Sequence, residues 1–140
     1  METKFVGRYE HSLDGKGRLI LPHRFRVPFD QRALVSKYSE GCLAVWTPDA
    51  FEEKAREMAP LFDGSTEDRN RARAFSVGSA ELDLDSQGRI ALPQYLREFA
   101  RLTEGSNVLV MGALTHVELW NPNAWAVHEA AGDAMLGAQD

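Results

Sequence analysis

One cysteine, Cys42, is the whole thiol content of the 140 residues. Without a second thiol there is no intramolecular disulfide, which excludes a disulfide-stapled secreted scaffold and leaves Cys42 as a small buried hydrophobe. No run approaches the roughly 20 apolar residues of a membrane-spanning helix. The opening Met1-Glu2-Thr3-Lys4-Phe5 also lacks the apolar centre of a signal peptide. The expected location is the cytoplasm, with no membrane contact. His11, His23, His116 and His128 fall at no metal-ligand spacing. Gly15-Lys16-Gly17 lacks the long loop and the following Ser or Thr of a phosphate-binding loop. No nucleophile can be matched to a base. The expectation is a protein with no catalytic residue, no cofactor, no metal and no small-molecule substrate.

Basic residues are missing from the end of the chain: beyond Arg101 there is no Lys or Arg, only five acids. Net charge is −5, which counts against nucleic acid, because phosphate neutralisation drives much of that affinity. The average hides a gradient. Residues 1–40 hold eight bases and five acids, whereas residues 41–102 hold eight bases and eleven acids. Any surface facing phosphate belongs to the N-terminal segment.

What the sequence does contain is a repeat. Leu13-Asp14-Gly15-Lys16-Gly17-Arg18-Leu19-Ile20-Leu21-Pro22 returns as Leu84-Asp85-Ser86-Gln87-Gly88-Arg89-Ile90-Ala91-Leu92-Pro93, 71 residues later, and Arg26 keeps that spacing to Arg97. Val45-Trp46-Thr47-Pro48-Asp49-Ala50-Phe51 then matches Leu119-Trp120-Asn121-Pro122-Asn123-Ala124-Trp125 at an offset of 74. Two blocks in one order describe a duplicated unit.

Each copy has the same grammar. A strand enters an Asp-x-x-Gly-Arg turn, where glycine supplies a positive φ. A second strand follows at 18–21 or 89–92, and Pro22 or Pro93 suits the first turn of a helix. The first of these helices is expected to be short because of Pro28; the second carries Tyr95, Leu96 and Phe99 and stops at Gly105. Strands return over 32–46 and 107–120. Thr47-Pro48 and Asn121-Pro122 pair an N-cap with a first-turn proline, predicting helices over 48–61 and 122–136. Residues 63–67 read as a loop, with Ser65 or Thr66 capping a further helix. The fold class is α+β, two tandem β-β-α-β-α half-repeats. A unit of about 48 residues buries too little core alone, so the copies should pack as an intrachain pseudo-dimer. The organisation is then 8–55 for the first repeat, 56–78 for a helical connector, 79–126 for the second repeat and 127–140 for a C-terminal helix or tail. Trp46, Trp120 and Trp125, at the strand–helix joints, are read as core.

The duplicated Asp-x-x-Gly-Arg, strand, Leu-Pro, helix pattern resembles the MraZ family, within the SpoVT/AbrB class of swapped-hairpin DNA binders. The opening from Gly7-Arg8-Tyr9-Glu10-His11-Ser12 to Arg18 and the Trp-x-Pro closing each copy carry the resemblance from Gly7 to about Trp125. It implies a swapped-hairpin barrel with peripheral helices. It also implies a nucleoid-associated regulator of its own promoter, ahead of the division and cell wall gene cluster. The implied partners are double-stranded DNA carrying short direct repeats and further copies of the chain in a ring.

Arg18 leads the expected DNA contacts, since an arginine on a narrow ribbon can donate to O6 and N7 of guanine. Lys16 at the tip suits phosphate or base, and Gly15 and Gly17 allow close backbone approach. Lys4, Arg8 and Arg24, with Arg26 beside it, are candidate phosphate contacts. Asp14, Asp85, Gly88 and Arg89 are read as structural turn residues: Asp85-Ser86-Gln87-Gly88-Arg89 has no lysine and follows Glu81 and Asp83. Copy one binds and copy two mainly scaffolds. The Arg69, Arg71 and Arg73 cluster reads as a solvated helix paired with Glu67 and Asp68, or as a subunit contact. Two rival readings stand: a ring-forming interaction scaffold without DNA, favoured by the acidic net charge, and an AbrB-like antitoxin, disfavoured because such proteins usually carry one repeat.

Overall fold

A computed structural model describes residues 4–138; Met1–Thr3 and the last two residues of the expected 127–140 tail lie outside them. Eight strands and five α-helices follow in the order β1 (Phe5–Ser12), β2 (Arg18–Ile20), α1 (His23–Arg26), β3 (Arg32–Lys37), β4 (Leu43–Trp46), α2 (Pro48–Met58), α3 (Thr66–Gly78), β5 (Ala80–Asp83), β6 (Arg89–Ala91), α4 (Gln94–Ala100), β7 (Asn107–Leu114), β8 (Val117–Trp120) and α5 (Pro122–Gly137). The strand regions expected over 32–46 and 107–120 each fold back as an antiparallel hairpin. Each copy therefore has one strand more than β-β-α-β-α counts. Pro22 and Pro93 stand one place earlier than expected, as the residues before α1 and α4; their extended ψ of 140° and 147° ends the strand rather than opening the helix. The first helix is a single turn and runs into 3-10 geometry at Val27-Pro28-Phe29.

The two copies are interleaved. In the six-stranded sheet, ordered β1-β7-β8-β4-β3-β5, β1 of the first copy pairs with β7 of the second, and β5 of the second pairs with β3 of the first. The remaining strands, β2 and β6, form a two-stranded ribbon with each other. Leu19 faces Ile90 across the ribbon and Ala44 faces Glu118 across the sheet centre. Each of these pairs joins equivalent positions of the repeat, so a pseudo-twofold axis passes through both. The pseudo-dimer is one body in which neither half has a complete sheet.

Both faces of the sheet are covered, which is why its central strands read as continuous apolar runs. Successive side chains point to opposite faces, and the core divides accordingly. On one face Val35, Leu43, Val45, Val108, Val117 and Leu119 meet Leu19 and Ile90 of the ribbon and Phe25 and Leu96 of α1 and α4. On the other face, two smaller clusters lie either side of the axis. One gathers Ala44, Trp46 and Phe75 under α2 and α3; the other gathers Leu109, Met111 and Trp120 under α5. Trp46 and Trp120 are buried core elements, as expected, whereas Trp125 is only half-buried and packs on Trp120 from the edge of that cluster. Ser65 caps α3 through a full capping box with Asp68, and Thr47 and Asn121 cap α2 and α5.

Candidate nucleic-acid interface

The two Asp-x-x-Gly-Arg turns have one geometry. In the first, Asp14 Oδ1 accepts from the backbone N–H groups of Lys16 and Arg18, both at 2.9 Å, and Oδ2 accepts from Arg18 Nε at 2.7 Å. In the second, Asp85 accepts from Gln87 and Arg89 at the same three distances. The carboxylate thus fastens its own arginine by the inner nitrogen. Neither Arg18 nor Arg89 has a partner on its terminal nitrogens among the described residues. The backbone N–H of Arg18, followed by its side chain and the N–H of Lys16, holds the Asp14 carboxyl at a pKa of about 2, and Asp85 is lowered by the equivalent bonds. Both aspartates are therefore ionised at neutral pH, each with its arginine fixed against it.

Gly17 and Gly88 close these turns with φ of +74° and +79°, a region that costs residues with a Cβ about 1–2 kcal/mol. Space is a second reason for glycine. A methyl group on Gly17 would lie 2.9 Å from Nε and Cζ of Arg97, and one on Gly88 would overlap the guanidinium of Arg26. Each arginine comes from the other copy and donates Nε to a carbonyl of its own chain segment, Arg26 to Leu21 and Arg97 to Leu92. The backbone closes the clasp: Leu21 N–H donates to Gly88 O and Leu92 N–H to Gly17 O. Arg26, considered from sequence as a phosphate contact, is part of this brace. Its mate Arg97 was visible from sequence only as a matching spacing.

Ribbon periodicity sorts the remaining side chains. Leu19 and Ile90 point into the core and are fully buried, so Arg18, Ile20, Arg89 and Ala91 share the outer face. Arg18 pairs with Ala91 and Arg89 with Ile20, which makes the two arginines diagonal neighbours, roughly 7–8 Å apart at Cα. In the sequence the two arginines belong to separate turns. The alternation Arg18-Leu19-Ile20 and Arg89-Ile90-Ala91 held the signal that they share a face, once the ribbon is known to be shared. Geometry treats the copies alike; charge does not. Lys16 and Gly15 are exposed at the first tip, whereas Ser86 and Gln87 occupy the second, and Arg32 forms an ion pair with Glu81 on the β5 edge.

The other basic candidates are dispersed. Arg24 donates to Tyr9 Oη at 3.1 Å on the flank of the ribbon. Arg8, six residues back along β1, is bound to Glu129 of α5 at 2.8 Å. Lys4 lies at the opposite end of β1 from the turn, roughly 25 Å away by strand rise, beside Asp30, Arg32 and Asp49. The structure brings Lys16 and Arg18 together with Arg89, places Arg24 nearby, and leaves Arg8 and Lys4 elsewhere. His116 and Glu118 form a separate buried pair at 2.9 Å beside Trp46 and Tyr38. No group of three His, Cys, Asp or Glu side chains able to hold a metal occurs among the described residues. No helix among them is long and apolar enough to cross a membrane.

The profile of a family described as "MraZ protein, putative antitoxin-like" matches residues 5–72 and again 75–135. A protein of Roseiflexus castenholzii named transcriptional regulator MraZ is 40% identical over 130 residues, covering 93% of this chain and 90% of its own length. A protein of the same name from Desulforamulus reducens is 36% identical over 132 residues, with coverage of 94% and 92%.

Proposed function

The chain belongs to the MraZ family, and on that premise we propose that it is a transcriptional regulator that binds double-stranded DNA through the β2–β6 ribbon. The observation that carries this reading is the pair of buttressed arginines on one narrow outward face. Tying Nε to an aspartate fixes the direction of the side chain before any DNA arrives, and it leaves the terminal nitrogens for a guanine edge. A two-stranded ribbon fits the major groove. Arg18 leads, with Lys16 at the tip on phosphate or base and Gly15 and Gly17 giving backbone access. Arg24 adds a phosphate contact on the flank, and Arg8 and Lys4, which lie away from the ribbon, are left with phosphate contacts outside the groove at most. Asp14, Asp85, Gly88 and Arg89 keep the turns in shape, and Arg89 is the point at which the second copy comes closest to the bases.

The operator in this reading is a set of short direct repeats upstream of the chain's own gene, ahead of a division and cell wall cluster. Each subunit of a ring-shaped oligomer engages one repeat, so several weak contacts sum to tight binding. The protein works in the cytoplasm, on the nucleoid, by binding rather than catalysis. Fluorescence anisotropy against upstream DNA and a scrambled control, across a salt series, tests this. Preference for the upstream DNA with a steep salt slope, lost in Arg18→Ala, supports it. A folded protein with no preference at any salt refutes it in favour of a scaffold that uses no DNA.

A further inference from the structure

A groove of about 570 Å³ lies between α3 and α4, over the end of β3. Asn70, Arg73, Ala74 and Val77, at i, i+3, i+4 and i+7, form its α3 wall; Lys37 and Tyr95 form the other. In a chain of net charge −5, no Asp or Glu is among the described residues that line it. Neighbouring cations are neutralised: Lys54 pairs with Glu57, and Arg71 with Glu67 and Asp68. Lys37 and Arg73 differ. Neither has an acidic partner among the described residues, and Arg73 gives only Nη1 to a neighbour, Asn70 Oδ1, at 3.1 Å.

Lys37 is also held in place. Its stem lies against Gly78, where a Cβ would come within 3.3 Å of Cδ and Cε. Its ammonium stands over the rings of Phe99 at 5.5 Å and Tyr95 at 5.9 Å. Tyr95 is pinned in turn by its hydroxyl, which donates to Gly78 O at 3.0 Å. Ring faces attract the ammonium without cancelling its charge. The repeat does not call for this arrangement. Val35 pairs with Ala80 as Val110 pairs with Tyr9, so Lys37 corresponds to Gly112. At the offset of 71, Tyr95 and Phe99 correspond to Arg24 and Pro28. The equivalent place in the other half forms with neither a lysine nor these rings.

We propose that this groove binds a nucleotide, its phosphate between Lys37 and Arg73 and its base against Val77, Ala74 and Tyr95. A pre-placed ammonium beside a guanidinium suits phosphate oxygens. The volume falls within the roughly 300–1,000 Å³ of small-molecule sites, more than a phosphate group alone fills. Val77 is 81% exposed, with Ala74 and Tyr95 also at the surface. Such a wall offers a planar base an apolar face, and it offers the hydroxyls of a bare sugar phosphate only Asn70. None of these residues belongs to the ribbon or its turns, so the proposal is independent of the DNA reading.

Isothermal titration calorimetry of the full chain with ADP, adenosine and inorganic phosphate, at about 0.15 M salt, tests it, with circular dichroism and melting as folding controls. ADP should bind once per chain at millimolar concentration or below, and adenosine and phosphate each more weakly. Lys37→Met keeps the stem and removes the charge, and Arg73→Gln removes the second cation; each should weaken ADP binding about tenfold or more. Val77→Asp alters an exposed side chain, so it should fold as the wild type does and lose ADP binding. Arg56→Gln, exposed on α2 outside the groove, should change nothing. Absence of ADP binding, binding that survives Lys37→Met and Val77→Asp, or binding lost in Arg18→Ala would each overturn the proposal. So would displacement of ADP by duplex DNA, or sedimentation with anionic vesicles without ADP binding, since the phosphate recognised would then belong to nucleic acid or lipid. If ADP fails to bind while upstream DNA is still bound specifically, the nucleotide site is wrong and the DNA reading stands.

Discussion

Replacing Gly88 by alanine tests the clasp between the copies. Two costs are separable. The left-handed φ of +79° costs about 1–2 kcal/mol once a Cβ is present. The methyl group also displaces the Arg26 guanidinium, which breaks the 2.9 Å bond from Nε to Leu21 O and forfeits about 0.5–1.5 kcal/mol. Together they come to about 1.5–3.5 kcal/mol, or roughly 4–12 °C in Tm for a domain of this size. Gly15, in the other turn, has an ordinary φ and no atom within 4 Å of an added Cβ. Gly15→Ala should be neutral or stabilise by about 0.4–1 kcal/mol through the unfolded chain. Urea denaturation of Gly15→Ala, Gly88→Ala, Arg26→Ala and the double variant Gly88→Ala/Arg26→Ala completes the measurement. With the guanidinium already gone, Gly88→Ala should cost only its backbone part, so the two substitutions should couple by about 1 kcal/mol. Equal stability of Gly15→Ala and Gly88→Ala, or strict additivity with Arg26→Ala, would refute the clasp.

Further outcomes follow from the same geometry. Arg18→Ala should weaken binding to upstream DNA by about 1–3 kcal/mol per engaged turn and Arg89→Ala should weaken it less, whereas the two variants lose equivalent bonds to aspartate and should shift Tm by similar small amounts; anisotropy and melting curves check both. Asp14→Asn keeps an oxygen acceptor for the backbone but removes the charge from Arg18, and should weaken DNA binding about tenfold, between wild type and Arg18→Ala. The depressed Asp14 pKa means that its contribution to the turn is present above the ordinary value of 3.8 and is lost as pH falls through about 2; carboxyl chemical shifts of the folded chain should place its midpoint at about 2, and a midpoint at the ordinary value would contradict the hydrogen bonds. Burial pushes the Cys42 thiol well above its ordinary range, so a thiol reagent at pH 8 should label it only as fast as the chain opens in denaturant.

Much of this fold was legible because the duplication is. Asp14 and Asp85, Gly17 and Gly88, Thr47 and Asn121 are placed by local chemistry, and local chemistry is what a short motif records. Strand pairing is a different kind of fact. That β1 meets β7 rather than β3 depends on which of two nearly identical partners closes the sheet, and the two halves offer the same apolar alternation. The hairpin turns at 38–42 and 113–116 escaped notice for a related reason: Tyr38-Ser39-Glu40-Gly41 carries a turn signal, but Ala113-Leu114-Thr115-His116 has neither Gly nor Pro, and Leu114 takes a φ of +68° there. At the candidate site the individual residues were readable and their neighbourhood was not. Arg18 and Arg89 become diagonal neighbours only through a ribbon made by residues 71 apart, and Arg8 is removed from it by a helix more than a hundred residues away.

The exchange of strands between the copies also sets an order of events on the ribosome. Phe5–Ser12 has its partner in Asn107–Leu114, so at about 5–20 residues per second the first strand waits roughly 5–20 s for the segment that completes it. During that interval its edge is open to any other nascent chain. Its pattern suits the wait: Arg8, Glu10 and Ser12 alternate with Tyr9 and His11, and charges of both signs along an unpaired edge discourage association with a like strand. A chain halted before residue 107 should be the species that chaperones recognise.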